Sequence, residues 1–442
     1  MNINSLRRCR SSPWATFLLG VVLAGASPAA SLLLTNATLH PVSGPVLAAA
    51  SLLIRDGQII SLGITISGSA DQTLDLKGQH VFPGLIAPNT ILGLQEIDSI
   101  RATRDTTESG EYTPDVYSWK AVNPDSELIP VARANGFTHV QPIPLGTSVS
   151  GHSAAIALTG WTIEDMAIKR DTGLHVFWPS FQFDTTPKER IRNKENWKSL
   201  EDQVKARDQK LQQLDEFFNE AEAYAKARTA AATTHAVRTV PAWEAMLPIL
   251  RREVPVFLHA DEFRQIQSAV DWVVRRQYRA VLAGGRDAGR LAGLLATHQI
   301  PVAYEHVFTP PVRDIDPYDA QFAVPAVLAR AGVQVSFSEG TATFGASNIR
   351  NLPYAAAQAR AFGLPYEEAL RGLTLYPARI LGLDARLGTL EPGKEATFFI
   401  ADGDILDVRT HVKRMWISGQ EVSLESRHTR LYDRYRQRPK SP

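Results

Sequence analysis

Cysteine is nearly absent: the 442 residues contain one, Cys9. It falls in an N-terminal stretch with the three parts of a secretory signal, residues 1–30, in which Arg7, Arg8 and Arg10 precede an apolar run from Trp14 to Ala26 and then small residues through Ser31. Cleavage near Ala26 or Ala29 leaves a mature chain with no cysteine, which excludes disulfides, thiolate metal sites and a cysteine nucleophile. The apolar run falls short of the roughly 20 residues a bilayer span needs, so no membrane association is expected beyond an uncleaved signal anchor. Charge of one sign is also lacking: 47 Lys and Arg face 46 Asp and Glu, for a net charge of +1. That balance argues against nucleic acid or an anionic membrane as partner. The expected setting is exported, periplasmic or extracellular, with a small-molecule substrate. A homo-oligomer is compatible with the chain, although nothing in it specifies an interface.

With 44% hydrophobic and 21% charged residues, the chain can bury a large core in one large domain and a smaller one. Residues 31–82 read as short strands (32–39, 52–55, 58–62 and 79–82), with Asp56-Gly57 a hairpin signal between two apolar runs. Residues 83–382 alternate apolar strand-like runs (138–142, 254–259, 280–283, 301–304, 333–337) with helical stretches such as 263–276 and 287–296. That rhythm over such a length predicts an α/β fold with a parallel (β/α)8 barrel of TIM type. A charged, Ala-rich segment, 187–232, has Trp197, Leu200, Val204, Leu211, Leu214 and Phe218 at helical spacing, and reads as one or two amphipathic helices inserted in the barrel. Residues 383–426 return to strands and complete a β-sandwich assembled from both chain ends. The basic tail, 427–442, is expected to be loosely ordered. There is no internal repeat.

Three segments carry a family resemblance. Val81-Phe82-Pro83-Gly84-Leu85-Ile86-Ala87-Pro88-Asn89-Thr90-Ile91-Leu92-Gly93 resembles the PGLID-x-HxHxG signature of the amidohydrolase superfamily, nearest its imidazolonepropionase-like branch. Leu387-Gly388-Thr389-Leu390-Glu391-Pro392-Gly393-Lys394-Glu395-Ala396 is similar to the family's G-x-L-x-x-G-K-x-A-D turn, and Thr374-Leu375-Tyr376-Pro377-Ala378 to its T-x-N-P-A helix. The resemblance runs from Leu32 to about Glu421. It implies a barrel core with a β-sandwich, a divalent metal such as zinc, and hydrolysis of non-peptide carbon–nitrogen bonds by metal-activated water.

The departures bear on the chemistry. The positions of the two HxH histidines, which alternate onto one face of a strand, hold Asn89 and Ile91; Ala87 replaces the Asp, and Gly284 stands where a further histidine is expected. His259 keeps a ligand position on the fifth strand, and Glu339 on the last replaces the catalytic Asp. The resemblance therefore implies a degenerate metal motif, with Glu339 as base and His259 as ligand. A rebuilt zinc site from His259, Glu305, His306 and Glu339 is one alternative; a metal-free acid/base pair of Glu339 and His259 is another; a catalytically lapsed, ligand-binding barrel is a third. Asn89, together with Ser150 and His152 from a polar turn spanning Ser148 to Ser153 and with Asn348 and Arg350 from the loop Thr341 to Asn351, makes up the candidate substrate-binding residues. The loop 101–112 contributes Arg101, Arg104, Asp105 and Glu108. Asp125 or Ser126 is expected to cap a helix that starts after Pro124.

Overall fold

The computed structural model describes residues 31–66, 68–230, 238–342 and 344–438. The expected leader therefore lies outside the described residues, and among those described no helix is long and apolar enough to cross a membrane.

The N-terminal strands are β1 (Ser31–Leu39), β2 (Leu47–Arg55), β3 (Gln58–Gly63), β4 (Gln72–Asp75) and β5 (His80–Pro83). The turn between β2 and β3 is the two-residue type that suits strand twist: Asp56 and Gly57 both take positive φ, 55° and 74°, and Arg55 pairs with Gln58. Strands β6 to β13 follow below, and the chain ends return as β14 (Phe398–Ala401), β15 (Val412–Ile417) and β16 (Gln420–Val422). β14 pairs antiparallel with β5, which joins both ends of the chain in one sheet ordered β16-β15-β14-β5-β1-β2-β3, with β4 also against β1. Its core is Leu34, Leu52, Ile59, Phe398, Ile400 and Trp416. The turn at 387–396 docks on the β2–β3 hairpin, where Gly393 N donates to Ile59 O and Ala396 N to Gly57 O.

The barrel consists of β6 (Leu85–Thr90), β7 (Phe137–Pro142), β8 (Val149–Ala157), β9 (Ala167–Phe177), β10 (Val256–Ala260), β11 (Ala280–Gly284), β12 (Val302–Tyr304) and β13 (Val335–Phe337), hydrogen-bonded in that order. A parallel bridge from Thr90 to Gly340 brings the two edges together. One packed layer draws a residue from each of several strands, Ile86, Ala155, Phe257, Val281 and Ala303, and meets Ala378 and Leu381 of the helix Leu375–Leu381. The interior there is filled, as small barrels require.

Four expectations are corrected. The barrel is not wholly parallel, because β8 runs antiparallel to both β7 and β9. The supposed polar turn Ser148–Ser153 falls mostly in this reversed strand; Gly151 sits at φ 113° with the Val116 carbonyl 2.5 Å from where a Cβ would be, so only glycine fits. The tail is also ordered further than expected: Arg427–Arg436 is a helix, because Ser426 and Thr429 form a capping box and Arg430 reaches Glu127 at 3.1 Å. Glu127, rather than Asp125 or Ser126, is the N-cap of the helix Leu128–Arg133, although Ser126 Oγ still accepts from Leu128 N. Among the described residues of the insertion, two 3-10 turns (Lys188–Arg190 and Lys194–Asn196) precede a long helix, Leu200–Ala230, whose Phe218 meets Trp272 edge-on while Asp215 accepts from Trp272 Nε1 and from Arg276.

Candidate functional site

Side chains with chemistry to offer gather at the ends of the strands, the usual place for a site in a barrel. Asn89 closes β6 in the left-handed backbone region, φ 51°, which asparagine tolerates better than most residues. Every polar group of this buried residue but one is engaged. Its backbone N donates to Gln141 Oε1 at 2.9 Å, its carbonyl accepts from Ser338 Oγ at 2.9 Å, and its Nδ2 donates to Glu305 Oε1. Its Oδ1 is buried without a hydrogen-bond partner among the described residues.

From Gln141 a polar layer continues around the barrel. Gln141 Nε2 donates to Ser153 Oγ at 2.8 Å and to Thr172 Oγ1 at 3.3 Å, and the two hydroxyls bond each other at 2.9 Å. Beyond them His175 Nδ1 and His259 Nε2 lie 2.9 Å apart. Phe257 stacks on the first ring and Phe177 on the second. Burial lowers the pKa of both imidazoles, that of His259 to about 3, so both are neutral at pH 7. His175 Nε2 is a second buried atom without a partner among the described residues.

The opposite side of the mouth is acidic. Glu305 directly follows β12 and Glu339 lies two residues beyond β13. Burial and then the charge of Asp261 push Glu305 up to about 8, against the Asn89 hydrogen bond; burial pushes Glu339 up to about 7. Gly340 permits this arrangement, since a Cβ there would lie 1.9 Å from Glu305 Oε2. Burial would raise Asp261 as well, but its bond with His306 Nε2 (2.6 Å) and the Arg286 backbone N–H hold it below the usual range.

The donors do not fit a divalent metal. Among the described residues no group of three His, Cys, Asp or Glu could hold one. The rebuilt set of His259, Glu305, His306 and Glu339 is not assembled, because its members are committed elsewhere. His259 Nε2 faces His175, His306 is held between Asp261 and Thr309, and Glu305 is bonded to Asn89. Ile91 is buried in the apolar core, and a Cβ on Gly284 would lie 2.6 Å from Asp261 Oδ1, leaving no room for a side chain in its present setting.

The other candidates scatter. Ser150 is buried on β8 with its hydroxyl donating to Pro144 O at 2.8 Å. His152, also buried on β8, bonds Asp171 at 2.9 Å and stacks under Tyr117. Asn348 ends the short helix Gly345–Asn348. Arg350 does not face the mouth: it lines a cavity of about 250 Å³ with Ala134, Asn135 and His411, beside the N-terminal end of β7. Asp105 and Glu108 line another, about 320 Å³, with Asp115, Tyr117 and Lys120, while Arg104 pairs with Asp98 at the surface. Gln141, Thr172 and His175 were not among the candidates, and Ser153 entered only as the end of the polar turn. The run Gly173-Leu174-His175-Val176-Phe177, an imidazole inside an apolar strand end, is the signal that could have found His175.

The Amidohydrolase family model matches residues 319–422. The chain is 41% identical over 61 residues to a putative N-acetylgalactosamine-6-phosphate deacetylase of Escherichia coli (strain K12), covering 14% of this chain and 34% of that protein. It is 40% identical over 63 residues to the N-acetylglucosamine-6-phosphate deacetylase of Bos taurus, covering 14% of each. The match thus spans about a third or less of these relatives. Over nearly its whole length the fold is similar to that of a solved amidohydrolase from Thermotoga maritima MSB8: TM-score 0.77, 25% identity, 89% of this chain and 99% of that one. An adenosine deaminase from Xanthomonas campestris with bound zinc is a more distant structural neighbour, with TM-score 0.51, 16% identity, and 93% and 98% coverage. The chain carries the amidohydrolase fold.

Proposed function

We propose that this protein hydrolyses a non-peptide carbon–nitrogen bond of a small molecule at the barrel mouth, with Glu339 and Glu305 as its proton-handling pair. The observation that carries the reading is the placement of two partly buried carboxyls at the ends of adjacent strands, one bonded to Asn89, in a fold whose relatives are hydrolases and deacetylases. Glu339 takes a proton from water as the water oxygen bonds to the amide carbon. The carboxyl of Glu305, protonated at neutral pH, donates a hydrogen bond to the carbonyl oxygen as charge develops there. Glu339 then returns its proton to the nitrogen as the C–N bond breaks, leaving a carboxylic acid and an amine. Asn89 holds Glu305 in place through its Nδ2. The three motifs support placement near the imidazolonepropionase-like branch, and residues 1–30 support a substrate met outside the cytoplasm.

The test uses the purified full chain, measured for metal content and for hydrolysis of cyclic amides and N-acylated amino acids with and without chelator. The expected result is turnover that survives chelator and falls by about 10²- to 10⁴-fold in Glu339→Gln. One equivalent of divalent metal, with activity lost on chelation, would sink the metal-free mechanism. A second reading, a lapsed barrel that binds without turnover, is favoured by the mutual engagement of His175 and His259 and by the burial of Ile91. Tight ligand binding with no turnover in wild type would establish it.

A further inference from the structure

Large apolar side chains are exposed where the chain leaves the site. The loop after β6 carries Ile97 and Ile100, that after β12 carries Val312, Ile315 and Tyr318, and that after β13 carries Phe344; Ile315 is 89% exposed and Tyr318 76%. The three loops are neighbours, since β12 pairs with β13 and the Thr90–Gly340 bridge sets β13 beside β6. They are also the loops that leave the strand ends next to Asn89, Glu305 and Glu339. Single exposed apolar residues need no explanation, but a set of them bordering a site does. Of the cations in these loops, Arg104 pairs with Asp98 and Arg313 with Asp287 and Asp316, Arg101 donates to the Arg104 carbonyl, Lys120 lies over the Tyr117 ring, and Arg350 lines the cavity beside β7.

We infer that this rim receives the apolar part of the substrate, and that the substrate class is an uncharged amide or lactam bearing a large alkyl or aryl group. The inference rests on the hydrolytic reading for the bond cleaved but not for what the rim binds. An acyl chain whose amide reaches the carboxyls and Asn89 extends outward over the rim, so chain length controls affinity. A carboxylate head group gains little from Arg104 and Arg313, because both already pair with carboxylates.

The experiment is calorimetric titration of the full chain with N-butanoyl-, N-hexanoyl- and N-octanoyl-glycinamide, and with N-octanoylglycine as the anionic counterpart. Affinity is expected to rise with chain length, up to about fourfold per methylene buried. Ile315→Ser with Phe344→Ser should weaken octanoyl binding by roughly tenfold, the equivalent of one to two methylenes, while sparing butanoyl binding. Both positions are exposed, so the fold is not at stake, and circular dichroism checks it. Affinity independent of chain length overturns the inference. So does a preference for N-octanoylglycine, or a double variant that turns a dimer into a monomer in sedimentation while keeping the length dependence, which would make the rim a contact between copies. Length-dependent binding without cleavage keeps the rim and removes the hydrolytic reading; cleavage without length dependence does the reverse.

Discussion

The two halves of the barrel are built differently. From β10 to β13 the strands are parallel, in continuous register and separated by helices, and their ends supply carboxylates: Asp261, Glu305 and Glu339. From β6 to β9 one strand is reversed, the pairings carry repeated register shifts, and the interior offers amides, hydroxyls and an imidazole: Asn89, Gln141, Ser153, Thr172 and His175. In the proposed reaction the regular half holds the groups that move protons and the irregular half holds neutral groups that fix positions. Asn89 joins them through its bonds to Glu305 and Gln141.

The comparison breaks most visibly at Gly340. Adding a methyl there drives Glu305 from its place and strains a backbone at φ 61°, so Gly340→Ala should lower kcat/KM by up to about a hundredfold, as expected when a reacting group is misplaced by about 1 Å. Unchanged kinetics would remove Glu305 from the reaction. The irregular half is probed by Gln141→Leu, which leaves Asn89 N, Ser153 and Thr172 short of a buried partner. A loss of about 1–3 kcal/mol is expected from urea unfolding, and a loss within error would show that the polar layer holds nothing in place.

A third effect is a pH dependence. His139 on β7 is buried, and burial, aided by the charge of Arg386, lowers its pKa from the ordinary 6.5 to about 3. The unfolded chain therefore takes up the proton first, so stability is full above pH 6.5 and drains as pH falls towards 3. Its share is about 1.4 kcal/mol per pH unit below 6.5. His139→Asn should flatten the decline of the urea midpoint between pH 6 and 4.5, and parallel declines in the two proteins would refute the assignment.

The regular half was also the more legible one. Apolar runs such as Val254–His259 are continuous because a parallel strand is buried on both faces, and the helix Phe263–Arg276 has the residue limits its periodicity suggests. In the irregular half local chemistry pointed elsewhere. Ser148-Val149-Ser150-Gly151 is turn-like in composition, yet β8 is held extended by β9 on one side and by the bridges from Tyr112 and Tyr117 on the other. The strand β9 carries Lys169, Arg170 and Asp171 in its first half, so its apolar end with His175 did not stand out. For the site, Asn89 and Ile91 announced the departure from the metal motif without distant partners. That Asn89 would bond Glu305, and His259 face His175, depends on barrel closure that no local pattern encodes.

The pairing of β5 with β14 ties together segments at opposite ends of the message. A ribosome delivers β1 to β5 long before their partner exists, so the first-made sheet keeps an open edge until almost the whole chain has emerged. Loss of β14 to β16 through truncation would thus leave an exposed, pairing-ready edge on β5, and strands made early would be among the last to be shielded from association with other chains.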